Sequence, residues 1–227
     1  MKNKLRIAGI TLMILGGVLL LYPLVYVPGT WLWEKYEQRG LRGDFERESA
    51  SAVQINQNVL AKLQGAAVFD KLRQLATTYK ANLKSEQTIG ILEIPKIGVN
   101  VIVVEGTSES SFRKGPGHIE ETPLPGMGGN FAVAGDRVLY GGPFLNLDEL
   151  AAGDEIFLKT QYGYFTYIVN GSQLTTPEDV SVLRSSGYEA ITLITCDPPW
   201  GTSKRLVVQA KIVSESLLED SETAEAS

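Results

Sequence analysis

The sequence predicts an all-β domain, a closed barrel or a sandwich, carried behind one membrane-spanning helix. Three observations lead there. Residues 88–213 break into short β-rich runs separated by Gly, Pro and Asn. Seven such runs at this spacing suggest a barrel or sandwich. Ahead of them, residues 7–27 read IAGITLMILGGVLLLYPLVYV and hold no charge.

At about 1.5 Å per residue the apolar stretch spans roughly 31 Å, enough for a hydrocarbon core of about 30 Å. Lys2, Lys4 and Arg6 precede it. The positive-inside rule therefore puts residues 1–6 in the cytoplasm and everything after Val27 outside, at the cell membrane. Tyr22, Tyr26, Trp31 and Trp33 cluster at the outer end, where an aromatic belt belongs. A cleaved signal peptide would carry a shorter apolar core and a small-x-small site. The PGTWLWEKY that follows has no such site.

Residues 28–87 read as a helical stalk or linker of one or two helices. Val68, Leu72, Leu75 and Tyr79 recur at helical spacing, and Val59 and Leu63 extend the stripe backwards. The barrel domain is expected over residues 88–214. Its strands are expected at 89–94, 99–104, 130–134, 155–160, 163–174, 190–195 and 204–213, with single helical turns near 148–150 and 177–183. Residues 215–227 read as an acidic, disordered tail.

The chain has 227 residues, 44% hydrophobic and 21% charged, which excludes collagen-like and wholly disordered classes. Its net charge of -5 comes from the tail: without the five acids there, 21 acidic residues face 21 basic ones. No basic footprint for nucleic acid remains. One cysteine and one histidine exclude a disulfide framework and a cysteine-rich zinc site, and disfavour a histidine-based one.

The lone cysteine, Cys196, ends the run ITLIT at a barrel rim, ahead of the loop DPPWG. A cysteine nucleophile needs a base or cation nearby to raise its thiolate share. Arg205 opens the next strand and could donate to a developing oxyanion. A buried structural cysteine and a surface arginine are the competing readings.

In this arrangement TLITC (192–196), a loop, then Arg205 in KRLVVQA resembles the sortase TLxTC motif and its downstream arginine. IGILEIPKIGVNVIVVEGT (89–107), GPGHIEETPLPGMGGNFAVAGDR (115–137), YGGPFLNLDELAAGDEI (140–156) and TTPEDVSVL (175–183) resemble further sortase segments in order. The likeness is greatest to class D, class E or related sortases. It implies a closed sortase-type β-barrel of seven to eight strands. It also implies a cysteine transpeptidase that cleaves LPxTG-like sorting signals of secreted proteins through a thioacyl intermediate. An amine of a cell-wall precursor or pilin subunit would resolve that intermediate. By this resemblance Cys196 is the nucleophile, Arg205 supports the oxyanion and substrate backbone, and Thr195 and Ala134 bind substrate. The family needs no organic cofactor. Some members bind calcium through barrel-loop acids, and no such cluster stands out here.

The pattern breaks at one position. Sortases usually carry AGHR where this chain has AGDR, so Asp136 stands in the place of the catalytic histidine. The only histidine, His118, lies in GPGH, where related sequences also carry a noncatalytic one. An ionised aspartate beside Cys196 disfavours the thiolate, whereas a desolvated, protonated one could serve as acid. The alternatives are an active sortase using Asp136, a pseudo-sortase that binds sorting signals without efficient turnover, or a His-to-Asp variant of an ordinary sortase.

Overall fold

The structure, a computed structural model, describes residues 2–60 and 66–218. A single helix α1 (Lys2–Leu60) leads into α2 (Ala66–Asn82). Then follow β1 (Thr88–Ile94), β2 (Val99–Glu105), the short helix α3 (Glu109–Phe112), β3 (Gly117–His118) and β4 (Asn130–Ala134). β5 (Glu155–Thr160), β6 (Gly163–Thr175), β7 (Ala190–Asp197) and β8 (Lys204–Leu217) complete the order. The strands close into a barrel in the order β1-β2-β3-β4-β7-β8-β6-β5. All seven anticipated strands form. The eighth, β3, has only two residues, too few for alternation to reveal. The turns near 148–150 and 177–183 form as 3-10 turns at Leu147–Glu149 and Val180–Leu183.

Two pairings set the geometry. β4 and β7 run parallel, with Ala134 opposite Ile194, so both strands end at the same rim. β8 returns antiparallel from that rim, with Arg205 opposite Cys196. Alternation then sorts the side chains. Phe131, Val133, Ile191, Leu193, Leu206 and Val208 fill the barrel core. Ala134, Ile194, Cys196, Arg205 and Val207 take the other face.

The far end is closed by α2. Leu72 and Ala76 are fully buried, and Val68, Leu75 and Tyr79 pack against the same core, as the helical stripe predicts. Val59 belongs to α1 instead, and Leu63 lies outside the described residues. So do the acids of the expected tail from Glu219 onward.

α1 is long and apolar enough near its start to cross a membrane. Beyond that stretch it packs along the barrel. Its contact stripe, Trp31, Glu34, Gln38, Leu41, Phe45 and Glu48, alternates steps of three and four residues, one helix face. Phe45 is buried with Ile102 and Val104, flanked by Leu41 and Ile91. The Gln38 amide accepts from the Ile102 N–H at 2.6 Å and donates to the Ile102 carbonyl at 3.1 Å. Glu48 accepts from Gln161 at 2.7 Å.

β8 runs three residues past the expected boundary at 214, which places Glu215 inside the fold rather than in a solvated tail. The register shift between Thr166 and Tyr167 leaves Glu215 opposite Phe165, at the α2 end. Among the described residues its Oε2 and the Tyr167 hydroxyl are enclosed without a hydrogen-bond partner. Desolvation first, and the neighbouring Glu189 second, raise the Glu215 carboxyl from 4.5 to about 7. Between those values the folded chain keeps a proton that the unfolded chain releases, so stability falls as pH rises and levels off above about 7. Burial raises Glu34 on α1 to about 7 with the same sign. We therefore expect Glu215→Gln to flatten the fall in urea midpoint between pH 5 and pH 8, with its largest gain at pH 8. An unchanged pH slope would contradict this assignment.

Candidate active site

The parallel strands β4 and β7 deliver two segments to one rim. Past β4, the Gly135 N–H donates to the Ile194 carbonyl at 3.0 Å, and Thr195 Oγ1 donates to the Gly135 carbonyl at 2.8 Å. These bonds fasten the start of the Gly135–Asp136–Arg137 segment to β7. Gly135 has no side chain for a steric reason: a Cβ there would fall 2.4 Å from the Phe144 ring.

Cys196 is half-buried and unbridged at the end of β7. Arg205 is its direct cross-strand partner. Such partners have Cβ atoms about 5 Å apart. The Arg205 guanidinium Nη1 donates to the Thr202 and Lys204 carbonyls at 3.2 and 3.1 Å. It thereby braces the loop that follows Cys196.

A groove of about 340 Å³ reaches Arg205 of this pair. Ala134, Ile194 and Val207 form its floor, Thr107 and Phe112 stand on one side, and residues from Thr175 to Leu183 stand on the other, with Arg205 in its lining. The groove is apolar at its base. Asp179 in its wall is held by Ser181 N–H at 3.0 Å and by the Thr175 hydroxyl, contacts that keep its carboxyl below the usual range.

Asp136 has local work. Its Oδ1 accepts the Val138 N–H at 2.8 Å and the Leu139 N–H at 2.6 Å. A short acceptor closing a turn onto following amides is a common use of aspartate. Among the described residues no hydrogen bond joins Asp136 to Cys196 or Arg205. One carboxylate oxygen is thus committed to the backbone.

The other expected residues fall differently. Ala134 lines the groove. Thr195 does not: it is buried on the core side of β7, and its hydroxyl is spent on Gly135. The reason is alternation, since a neighbour of Cys196 must face the other way. His118 is fully buried, with Nδ1 2.6 Å from Glu105 Oε2 and Nε2 2.9 Å from Thr122 Oγ1, and its ring stacks on Phe131. Both ring nitrogens are engaged, so it has none to offer Cys196. Among the described residues no group of three or more His, Cys, Asp or Glu converges as a metal site.

Sequence reasoning missed Arg137. Its guanidinium is buried and reaches four groups. Nε donates to the Leu145 carbonyl at 3.2 Å, and Nη1 donates to the Cys196 carbonyl at 3.4 Å and to Asp197 Oδ1 at 2.7 Å. Nη2 pairs with Asp148 Oδ1 at 2.7 Å. The fork clamps the Cys196 peptide to the Asp136 segment. The readable signal was two acids downstream of the AGDR arginine, Asp148 in a helical turn and Asp197 next to Cys196.

A sortase domain pattern matches residues 92–213 of this chain. The chain belongs to the sortase family. Sortases are cysteine transpeptidases, and the site just described sits where β4, β7 and β8 meet in this sortase barrel. Sortase SrtE1 of Streptomyces coelicolor is 37% identical over 145 residues, covering 57% of this chain and 41% of that protein. The chain therefore spans less than half of that relative's length. The solved sortase D5 transpeptidase of Clostridium perfringens matches with a TM-score of 0.56 at 28% identity, over 72% of this chain and 99% of that one. The solved sortase E1 of Streptomyces coelicolor matches with a TM-score of 0.55 at 34% identity, over 58% and 91%.

The Arg137 fork predicts a stability cost. Arg137→Ala leaves Asp197 and Asp148 without their shared cation, and removing one partner of a buried pair costs about 3–5 kcal/mol. Exposure of Asp148 reduces this, so a loss of about 2–3 kcal/mol in urea unfolding is expected. Arg137→Lys keeps the charge but cannot fork, and should recover less than half. A loss below about 0.5 kcal/mol for Arg137→Ala would refute the clamp.

Proposed function

We propose that this sortase is held in the cell membrane by residues 7–27, faces outward, and transfers proteins bearing an LPxTG-like sorting signal. The observation that carries this reading is the groove, apolar at its base, that is lined by Arg205, the cross-strand partner of Cys196. The tripeptide in the active site of the sortase E1 structure supports a peptide occupant. The apolar start of α1, preceded by Lys2, Lys4 and Arg6, supports the anchoring and its orientation.

In this reaction the Cys196 sulfur attacks the Thr–Gly carbonyl. A C–S bond forms, the carbonyl oxygen takes the negative charge, and the C–N bond then breaks. The leaving amine takes one proton. A second amine, from a cell-wall precursor or pilin subunit, attacks the thioacyl carbon and returns the sulfur. Arg205 is a donor-only group, so it stabilises the oxyanion but cannot take the thiol proton. Ala134 contributes to the groove floor, and Thr195 positions the rim from behind. No cofactor takes part.

The thiol proton must go to Asp136 or to solvent. The two backbone amides on Asp136 Oδ1 favour a second reading, in which the chain binds sorting signals and turns them over slowly. The full chain mixed with LPxTG-like peptides and a glycine or diamino nucleophile separates the two by intact-mass spectrometry. A thioacyl adduct on Cys196, absent in Cys196→Ala, is expected. Asp136→His should raise turnover about 10²–10⁴-fold, the usual worth of a positioned acid/base. Equal turnover by both would make Asp136 a working substitute. Silence from both would sink the transpeptidase reading.

A further inference from the structure

We propose that the turn of α1 just outside the apolar stretch is a positioning element of the active site, acting through Trp31. The inference rests on the reading of Cys196 as nucleophile and concerns what holds the segment beside it. That segment, residues 136–142, is gripped from two sides. On the inner side Arg137 ties it to the Cys196 carbonyl and Asp197. On the outer side α1 holds its backbone, and the Tyr140 hydroxyl donates to Glu109 of α3 at 3.4 Å.

Trp31 Nε1–H donates to the Val138 carbonyl at 2.8 Å. Thr30 Oγ1 accepts the Tyr140 N–H at 3.4 Å. The Glu34 carboxylate lies against Gly141, where a Cβ would fall 2.5 Å from Oε2, and Gly141 holds a φ of +80° that suits glycine. A Cβ on Gly142 would meet Trp31 Cζ2 at 3.3 Å. Positions 30, 31 and 34 share one helix face.

Val138 is the link. Its carbonyl accepts from Trp31, and the Leu139 N–H of that same planar peptide donates to Asp136 Oδ1, so one peptide unit joins the indole to the carboxylate. A rotation of that peptide breaks both bonds together. The helix is itself held in place, because Gln38 clamps Ile102 and Phe45 is buried further along. Asp136 is therefore aimed by a residue more than a hundred positions earlier in the chain. Trp31 touches neither thiol nor substrate groove, so it is a positioning residue.

The test uses the full chain in detergent micelles. Trp31→Phe keeps an aromatic ring and removes the N–H donor. Trp33→Phe, at an exposed neighbouring indole, is the control. Two readouts need no turnover: amide exchange at residues 138–140, and the rate of Cys196 alkylation by iodoacetamide across pH. Trp31→Phe should speed exchange there about 5-fold, in keeping with one lost hydrogen bond. It should also move the alkylation–pH curve, while Trp33→Phe changes neither. Where peptide turnover is measured, kcat should fall with KM unchanged. A Trp31→Phe alkylation curve that coincides with the natural chain's would overturn the proposal, whether or not the melting temperature drops, since a contact that only packs lowers stability alone. Failure to cleave any LPxTG-like peptide would remove the proposed reaction and leave this result standing.

Discussion

The parallel pairing of β4 with β7 is the constraint on which the site depends. Parallel neighbours cannot be joined by a tight turn, so the chain must build β5, β6 and the groove wall between them. The return is that two strand ends arrive side by side at one rim, with a fixed register of Ala134 against Ile194. Cys196 and the Asp136 segment meet for that reason. The antiparallel return of β8 then adds Arg205 with no further loop to position. Slipping β7 by one residue would turn Cys196 into the core and Thr195 into the groove. The packed Ile191 and Leu193 forbid the slip.

The rim also shows how one side chain answers to two demands. Aspartate is a good turn closer, and Asp136 satisfies two amides that would otherwise need water. A histidine at that position can shuttle protons, but it offers no carboxylate to those amides. The local backbone and the chemistry therefore pull toward different residues. Arg137 limits the consequence, because its clamp on Cys196 and Asp197 does not depend on what stands at 136.

Much of this was readable in the sequence, for physical reasons that differ by element. The strands were legible because burial of one face writes a period of two. β3 was not, since two residues show no period. The α2 stripe was legible because its contacts are apolar. The α1 stripe was hidden because Glu34, Gln38 and Glu48 dock by hydrogen bonding and packing and look like a solvated face. Cys196 and Arg205 followed from strand ends and from family likeness. Arg137 did not, because a charged residue reads as surface until its buried partners are known. The turn closed by Asp136 and the core-side place of Thr195 depend on where neighbouring atoms point, which spacing alone does not encode.

The unbroken run of α1 from its apolar stretch onto the barrel has one more consequence. Val27 and Trp31 are four residues apart, about 6 Å of helix rise. With residues 7–27 in a bilayer, the barrel rides at a set height with no tether to pay out. Such an enzyme does not search a volume. It sweeps a thin layer over the lipid surface, where partners that are themselves lipid-bound reach high effective concentration and free ones gain nothing. Encounter then depends on lateral diffusion and on how far a partner's reacting group stands from the membrane.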